Sequence, residues 1–155
     1  LREVEAAAEL LMNVYGIRAA VWSVTSFNEL RKEALACEHW NHLHPLEAPK
    51  VPWVTQQLHA VKGAIVAASD YMRIVSEQIR AFLPQGLPYI TLGTDGFGRS
   101  DSRDKLREHF QVNRYFIAIA ALNALADDGV IGRSVVQDAL ERFEINVEKP
   151  FAPTV

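Results

Sequence analysis

Cysteine is almost absent from this sequence of 155 residues, which contains only Cys37. A lone cysteine cannot form an internal disulfide, so the sequence excludes a disulfide-stapled secreted domain and predicts a reducing compartment, the cytoplasm. Long apolar runs are absent too, because no stretch approaches the roughly 20 apolar residues of a membrane-spanning helix. No charged and then apolar targeting segment opens the chain. We therefore expect no membrane partner.

An excess of basic charge is the next absence. Sixteen Lys and Arg residues face 19 Asp and Glu residues, for a formal net charge of −3 and a pI near 6.0. A nucleic-acid-binding domain of the usual kind carries a basic stripe and a high pI, so nucleic acid is not an expected partner. The same balance excludes a polybasic patch for anionic lipid.

What remains is an ordinary globular composition, 49% apolar and 23% charged. The length suits one domain with a sizeable core, so residues 1–155 are predicted to form a single domain. The chain begins without Met, inside a run that already has helical character. We interpret Leu1 as a fragment boundary and expect the first strand of the sheet to lie upstream of it.

The first third of the sequence predicts a helix, a strand and a second helix. A helix over residues 1–15 has an apolar stripe and ends at Gly16. The β-branched run from Ile17 to Val24 predicts a strand. Ser26 and Glu29 have the spacing of a capping box, so a helix is predicted over residues 27–40. The stripe of the first helix consists of Val4, Ala7, Ala8, Leu11 and Val14.

The alternation of helices and strands continues further along the chain. Residues 63–69 form a small, apolar run typical of a strand buried on both faces, and Tyr89–Leu92 predicts a short third strand. The resulting order implies parallel pairing through right-handed crossovers, hence an α/β fold with three α/β/α layers and a mostly parallel sheet. Further helices are predicted over residues 52–58, 70–82, 102–110, 113–127 and 134–143.

The loop after the third predicted strand carries the richest chemistry. In open α/β sheets, functional contacts gather beyond the carboxyl ends of the strands. Gly96 and Gly98 permit positive φ or close backbone approach, Asp101 or Ser102 can cap the next helix, and two arginines add donors for a carboxylate or phosphate. The loop lacks the Gly-Lys-Ser/Thr ending of a P-loop and the third glycine of a dinucleotide site. These absences favour a structural or interface element, whose Arg and Asp residues pair with each other or with a partner subunit.

A second candidate is the run from Cys37 to His44, which holds one cysteine and three histidines. Four potential zinc ligands in eight residues suggest a metal site. However, Cys37 and His39 are two residues apart and face different directions on a helix, and no second ligand pair follows. We therefore expect no metal site here, but a core cysteine and imidazoles near a helix C-terminus. The specific role of this cluster stays open.

Nucleophilic catalysis has no support in the sequence. The chain lacks a Gly-x-Ser-x-Gly elbow. Ser69 and Asp70 are more simply a helix cap, and the mid-helix position of Cys37 favours an inert buried thiol. No catalytic, cofactor-binding or metal-binding residue is predicted.

Several segments, in their order along the chain, resemble one family. They resemble the C-terminal domain of the homodimeric, thiamine-dependent decarboxylating component of bacterial pyruvate dehydrogenase complexes, and the residues 92–103 are the most specific part. The domain is also similar to the C-terminal domain of transketolases, which implies a three-layer α/β/α fold. The matching segments are 22–27, 40–41, 43–47, 68–72 and 92–103.

The resemblance implies a parent enzyme that decarboxylates pyruvate on thiamine diphosphate and Mg²⁺ and passes the acetyl group to a lipoyl domain of the dihydrolipoyl acyltransferase component. In that family, the cofactor is held by a Gly-Asp-Gly…Asn motif and activated by a glutamate in the other two domains. Neither motif occurs in this sequence, so no cofactor is expected in it. The implied partners are the rest of the parent chain, the second subunit of a homodimer and, through the parent, the acyltransferase.

The leading hypothesis is a domain that supports dimer assembly and shapes the approach to the active site. Two alternatives stay open: a stand-alone anion- or nucleotide-binding module, and a docking domain for another component of the complex. The preference for pyruvate over a longer 2-oxo acid rests on the resemblance alone. The candidate interface residues are Asp95, Phe97, Arg99, Asp101, Arg103, Trp40 and His44.

Overall fold

The computed structural model describes residues 1–154, which contain α-helices and a small parallel sheet. None of the helices in this range combines the length and the hydrophobicity needed to cross a membrane. The helices are α1 (Arg2–Tyr15), α2 (Phe27–Leu43), α3 (Trp53–Leu58), α4 (Arg73–Glu77), α5 (Arg103–His109), α6 (Arg114–Asp127) and α7 (Arg133–Arg142); the strands are β1 (Ile65–Ala68) and β2 (Tyr89–Leu92); 3₁₀ turns cover Arg80–Phe82 and Ala152–Thr154.

The first two helices begin and end on local signals. Gly16 adopts the left-handed conformation (φ 68°) after α1, and its amide donates to the Met12 carbonyl. The Ser26 hydroxyl accepts a hydrogen bond from the Glu29 amide at 3.2 Å, which confirms the predicted start of α2. α2 continues three residues beyond the predicted end, to Leu43.

The two strands confirm the α/β class and the parallel pairing. β1 and β2 lie in parallel register, with Ile65 opposite Tyr89 and Ala68 opposite Leu92. α6 packs on both strands, whereas Ile65, Ala67 and Tyr89 contact a cluster built from α2 and α3. The sheet therefore lies between two layers of helices. β1 is half-buried along its length, so the prediction that it is buried on both faces is wrong for this chain.

The predicted strand at residues 17–24 is not formed. Its side chains are exposed at Val21, Trp22 and Val24. Among residues 1–154, no backbone hydrogen bond joins residues 18–24 to another segment. β-branched residues favour an extended backbone, but a strand needs a hydrogen-bonding neighbour, and none of the described segments provides one.

The predicted continuous helix over residues 70–82 is also wrong. Ser69 accepts a hydrogen bond from the Tyr71 amide in a tight turn, and α4 begins only at Arg73. After Glu77 the chain passes into a 3₁₀ turn. The Tyr89 hydroxyl donates to the Ser76 carbonyl at 2.8 Å. In a continued helix, this carbonyl would accept a hydrogen bond from the backbone amide four residues further along the chain.

The remaining helices match their predictions to within about two residues, an uncertainty that is usual for helix ends. Asn113 caps α6 by accepting from the amides of Tyr115 and Phe116. Two apolar clusters form the core. One joins α1, α6 and α7 around the fully buried Leu122, and the other joins α2, α3 and β2 around Ala34.

Candidate functional site

The carboxyl ends of β1 and β2 are joined by hydrogen bonds between the loops that follow them. The Thr94 amide donates to the Tyr71 carbonyl, and the Thr94 hydroxyl donates to the Asp70 carbonyl, both at 3.0 Å. The Arg73 amide donates to the Asp95 carboxylate at 3.1 Å. Asp95, a predicted interface residue, therefore satisfies an amide at the start of α4 and fixes the two loops to each other.

Two glycines make these loops fit together. A Cβ on Gly93 would lie 2.6 Å from the Arg73 amide nitrogen and from the Tyr71 carbonyl oxygen. Gly96 has φ +104°, and a Cβ there would lie 2.7 Å from the Ala152 carbonyl oxygen. Both positions thus require glycine for backbone approach. Gly98 meets nothing within 4 Å and has no positive φ, so the predicted special role of glycine applies to Gly96 and not to Gly98.

Beyond Gly96 the loop is exposed. Phe97 has 80% of its surface exposed, and Arg99 and Arg103 are exposed as well. Asp101 accepts a hydrogen bond from the adjacent Ser102 amide at 2.7 Å, at the start of α5. In residues 1–154, neither arginine forms an ion pair, so the expected pairing of Arg with Asp inside the loop is not found.

The second predicted surface, at residues 40–47, is built around an aromatic stack. The rings of Trp40 and His44 stack with centroids 4.2 Å apart and planes 9° apart, and the Lys50 ammonium lies 4.3 Å from the Trp40 ring. The Asn41 side chain exchanges two hydrogen bonds with the Lys50 backbone, at 2.7 and 2.9 Å. Leu46 projects from this segment and is 99% exposed. Within the described residues, no hydrogen bond or ion pair connects residues 40–47 to the 94–103 loop.

Cys37 and the histidines do not converge. Cys37 is buried in α2, and its thiol donates to the Glu33 carboxylate at 3.2 Å. Burial raises the pKa of the Cys37 thiol, which keeps it protonated and unreactive. His39 and His42 are exposed, while His44 lies against Trp40. In residues 1–154, no three His, Cys, Asp or Glu side chains are placed to hold a metal ion.

Sequence reasoning missed an ionic cluster beside the sheet. The Arg114 guanidinium donates twice to the Glu3 carboxylate, at 3.0 and 3.1 Å, and the Arg114 amide donates to it at 2.9 Å. These bonds hold the pKa of Glu3 below its usual range. Arg107 lies 3.6 Å from Glu3 and 3.7 Å from Asp70. Glu3 and Arg114 are 111 positions apart in the sequence, so no local signal predicts this contact.

A second missed group surrounds β2. The Glu77 carboxylate accepts from the Arg80 guanidinium at 2.6 and 2.8 Å and from the Thr91 hydroxyl. The Arg80 hydrogen bonds lower the pKa of Glu77 to about 2. The Tyr89 hydroxyl is buried nearby, which raises its pKa to about 12. Both shifts have structural partners, so we assign this group to folding and not to chemistry. The spacing of Glu77 and Arg80 was a usable signal.

A family model and several curated relatives each match most of this chain. Residues 1–113 match the family model of the transketolase-like TK C-terminal domain. The chain is 53% identical to the pyruvate dehydrogenase E1 component of Pseudomonas aeruginosa, 48% to that of Escherichia coli K12 and 46% to that of Cupriavidus necator. Each alignment covers 96% of this chain but 16–17% of the relative. The chain thus spans about a sixth of the length of these curated relatives.

Proposed function

The chain belongs to the family of transketolase-like C-terminal domains, and from this membership we propose that it is the C-terminal assembly domain of a homodimeric pyruvate dehydrogenase decarboxylating component. The family part of the resemblance stated above is confirmed by the match over residues 1–113. We further propose that the whole protein decarboxylates pyruvate in the cytoplasm and transfers the acetyl group to a lipoyl domain. The names of the relatives support it.

The chain's own residues do not fit thiamine diphosphate or its metal. The Gly-Asp-Gly…Asn motif that the family uses for the diphosphate and Mg²⁺ is absent from the sequence. In the described part of the chain, the acidic side chains that could hold a cation are dispersed or paired with arginine. We therefore assign no catalytic step to the domain, but a role in assembly of the dimer and in access to the active site.

One observation carries this assignment: the carboxyl edge of the sheet exposes apolar and charged side chains next to the hydrogen bonds that join the loops after β1 and β2. Phe97 is 80% exposed, Tyr71 72% and Ile74 63%. The bonds of Thr94 and Arg73 described above hold the backbone at Tyr71 and next to Ile74, and the backbone contact of Gly96 with Ala152 lies next to Phe97. Large exposed apolar side chains on an ordered framework are typical of interaction surfaces. Arginine and aromatic residues are also the common anchors of protein interfaces.

Substitutions in this surface test the assignment in the full-length protein. Arg99→Ala, Asp101→Ala and Phe97→Ala should each raise the dimer dissociation constant by about tenfold or lower turnover, because interface anchors of this kind contribute about 1–2 kcal/mol or more. The measurements are sedimentation velocity over a concentration series and steady-state turnover. Arg31→Ala provides the control, since Arg31 is an exposed arginine on α2 that is outside the proposed surface.

Wild-type sedimentation and turnover in all three variants would refute the assembly role. Unchanged sedimentation and pyruvate turnover with reduced acetyl transfer would point instead to docking of the acyltransferase component, which a pull-down with that component measures directly. Arg99 and Arg103 also present exposed guanidinium groups without ion pairs in residues 1–154, the feature that favours an anion-binding module. Calorimetric titration with a nucleotide and with inorganic phosphate distinguishes that alternative.

A further inference from the structure

The last residues of the described chain cross the 94–103 loop at a point where only glycine fits. A Cβ on Gly96 would lie 2.7 Å from the Ala152 carbonyl oxygen, 3.0 Å from its carbonyl carbon and 3.2 Å from the Pro153 Cα. All three atoms belong to backbone, so a side chain on residue 96 cannot be accommodated by a rotamer change. The two backbones are therefore in direct contact, and Ala152 is buried at this crossing with 5% of its surface exposed.

The same segment also contacts the far end of α5. The Lys149 ammonium donates to the Glu108 carbonyl at 3.1 Å, and this carbonyl also accepts from the Gln111 amide at 3.2 Å, just beyond the end of α5. A cavity of about 30 Å³ separates the segment from the ends of the loop and helix. That space accommodates about one water molecule. Its lining residues include Asp95 of the loop, Phe110 and Gln111 just after α5, and Phe151, Ala152 and Pro153 of the segment itself.

The segment has its own local structure. The amide and the hydroxyl of Thr154 both donate to the Phe151 carbonyl, at 2.9 and 2.7 Å. These bonds close the 3₁₀ turn that presents Ala152 to Gly96. A preformed turn loses less conformational entropy on docking than an extended tail would.

The part of the chain beneath it has few other attachments. α5 has no buried residue, and residues 96–105 are exposed throughout. The ionic contacts of Arg107 with Glu3 and Asp70 are long, at 3.6 and 3.7 Å. The contact with Asp70 stabilises weakly, because Asp70 is 74% exposed, whereas the contact with Glu3 is the better shielded of the two, with side chains 20% and 14% exposed. The position of the loop and of α5 therefore depends on what packs over Gly96 and Glu108.

From this geometry we propose that residues 149–154 form a strap that fixes residues 96–111 against the sheet. The strap makes contact at both ends of this unit, at Gly96 and at Glu108. When it is displaced, the unit with the exposed Phe97 and Arg99 loses its fixed position, while the α1–α6–α7 cluster keeps its packing. The contacts of the strap lie within this chain and do not require a subunit interface at this surface. The proposed strap is therefore independent of the proposed function.

Hydrogen exchange of the full-length protein, followed by mass spectrometry of peptides covering residues 94–111 and α6, tests the strap. Deleting residues 149–155 should accelerate exchange in residues 97–110 by about tenfold or more, with exchange in α6 unchanged. Gly96→Ala should do the same through the clash with Ala152. Gly98→Ala, in the same loop but in open space, should leave exchange at its original rate.

Two further comparisons separate the clash from backbone strain. Gly129 also has positive φ (+73°) but meets nothing within 4 Å, so Gly129→Ala should introduce strain without accelerating exchange in residues 97–110. In the deletion background, Gly96→Ala should accelerate exchange less than in the intact protein, because the atoms it clashes with are gone.

Unchanged exchange in residues 97–110 after the deletion, or equal effects of Gly96→Ala and Gly98→Ala, would overturn the strap. Equal acceleration in α6 and in residues 97–110 would overturn it too, since that pattern indicates global unfolding. If the deletion variant does not fold, the pair of glycine variants decides the outcome alone.

Discussion

The α1–α6–α7 cluster and the carboxyl edge of the sheet are held together by different kinds of contact. In the cluster, side chains from distant helices interdigitate around Leu122, which is fully buried. At the sheet edge, backbones touch at Gly93 and Gly96 and hydrogen bonds join successive loops, while the side chains of Phe97 and Arg99 face solvent. The cluster uses its side chains for stability, whereas the edge leaves them free for contacts with other surfaces.

This difference separates substitutions that should change folding from those that should change assembly. In the cluster, truncation of a buried side chain leaves a cavity and removes packing contacts. At the edge, removing an exposed side chain such as that of Phe97 or Arg99 leaves the hydrogen bonds between the loops in place. The proposed strap extends the comparison, since at Gly96 a contact between two backbones lies next to the exposed Phe97.

The largest effect is expected from Leu122→Ala in the cluster. This substitution should lower the free energy of unfolding by about 3 kcal/mol, because it removes a fully buried side chain and leaves a cavity. Urea titration monitored by circular dichroism measures it. Leu46→Ala, at a position that is 99% exposed, should change the value by less than about 0.5 kcal/mol. Similar losses in the two variants would break the comparison.

A smaller effect is expected at the ionic contact that closes the cluster. Arg114→Ala should lower the free energy of unfolding by about 1–2 kcal/mol, because the Glu3 carboxylate, which is 14% exposed, loses both guanidinium hydrogen bonds and keeps only the bond from the backbone amide of residue 114. Arg133→Ala is the matched control, since the Arg133–Asp127 pair is 77% and 62% exposed. It should cost less than about 0.5 kcal/mol. Equal costs in the same urea titration would show that burial does not distinguish the two pairs.

The stability contributed by Glu77, next to β2, is expected to depend on pH. The folded-state pKa of Glu77, about 2, lies below its ordinary value of 4.5, so its contribution to stability is present above pH 4.5 and is lost as the pH falls towards 2. Glu77→Gln should remove about 1 kcal/mol of the stability difference between these limits, a figure reduced for the half-exposed Arg80 partner. Urea titrations across this pH range measure it. An unchanged pH profile would contradict the role assigned to Glu77.

The smallest effect on folding is expected at the exposed loop. Arg99→Ala should change the free energy of unfolding of the chain by less than about 0.5 kcal/mol, because Arg99 is exposed and has no ion pair in residues 1–154. Chemical denaturation of the chain alone gives the value. A loss above about 1 kcal/mol would place Arg99 among the stabilising residues and remove the contrast with Leu122.

The local elements of this protein were predictable because their signals lie within a few residues of one another. Gly16 ends α1, Ser26 and Glu29 start α2, and the apolar run Tyr89–Leu92 forms β2 within its predicted bounds. The family resemblance drawn from residues 92–103 and four shorter segments is confirmed by the match over residues 1–113. The single domain, the strand upstream of Leu1 and the roles of the seven candidate interface residues stay predictions.

The sequence alone determined the helices with clear caps, the parallel α/β class and the loop that follows β2, since capping, periodicity and strand order are local properties. Tertiary structure decided the rest. Residues 17–24 have strand composition but no hydrogen-bonding neighbour in the described chain, and Tyr89 takes the Ser76 carbonyl that a longer helix would use. Gly96 requires glycine because Ala152, far along the chain, passes within contact distance. Such contacts join residues with no sequence relation, so only the folded chain reveals them.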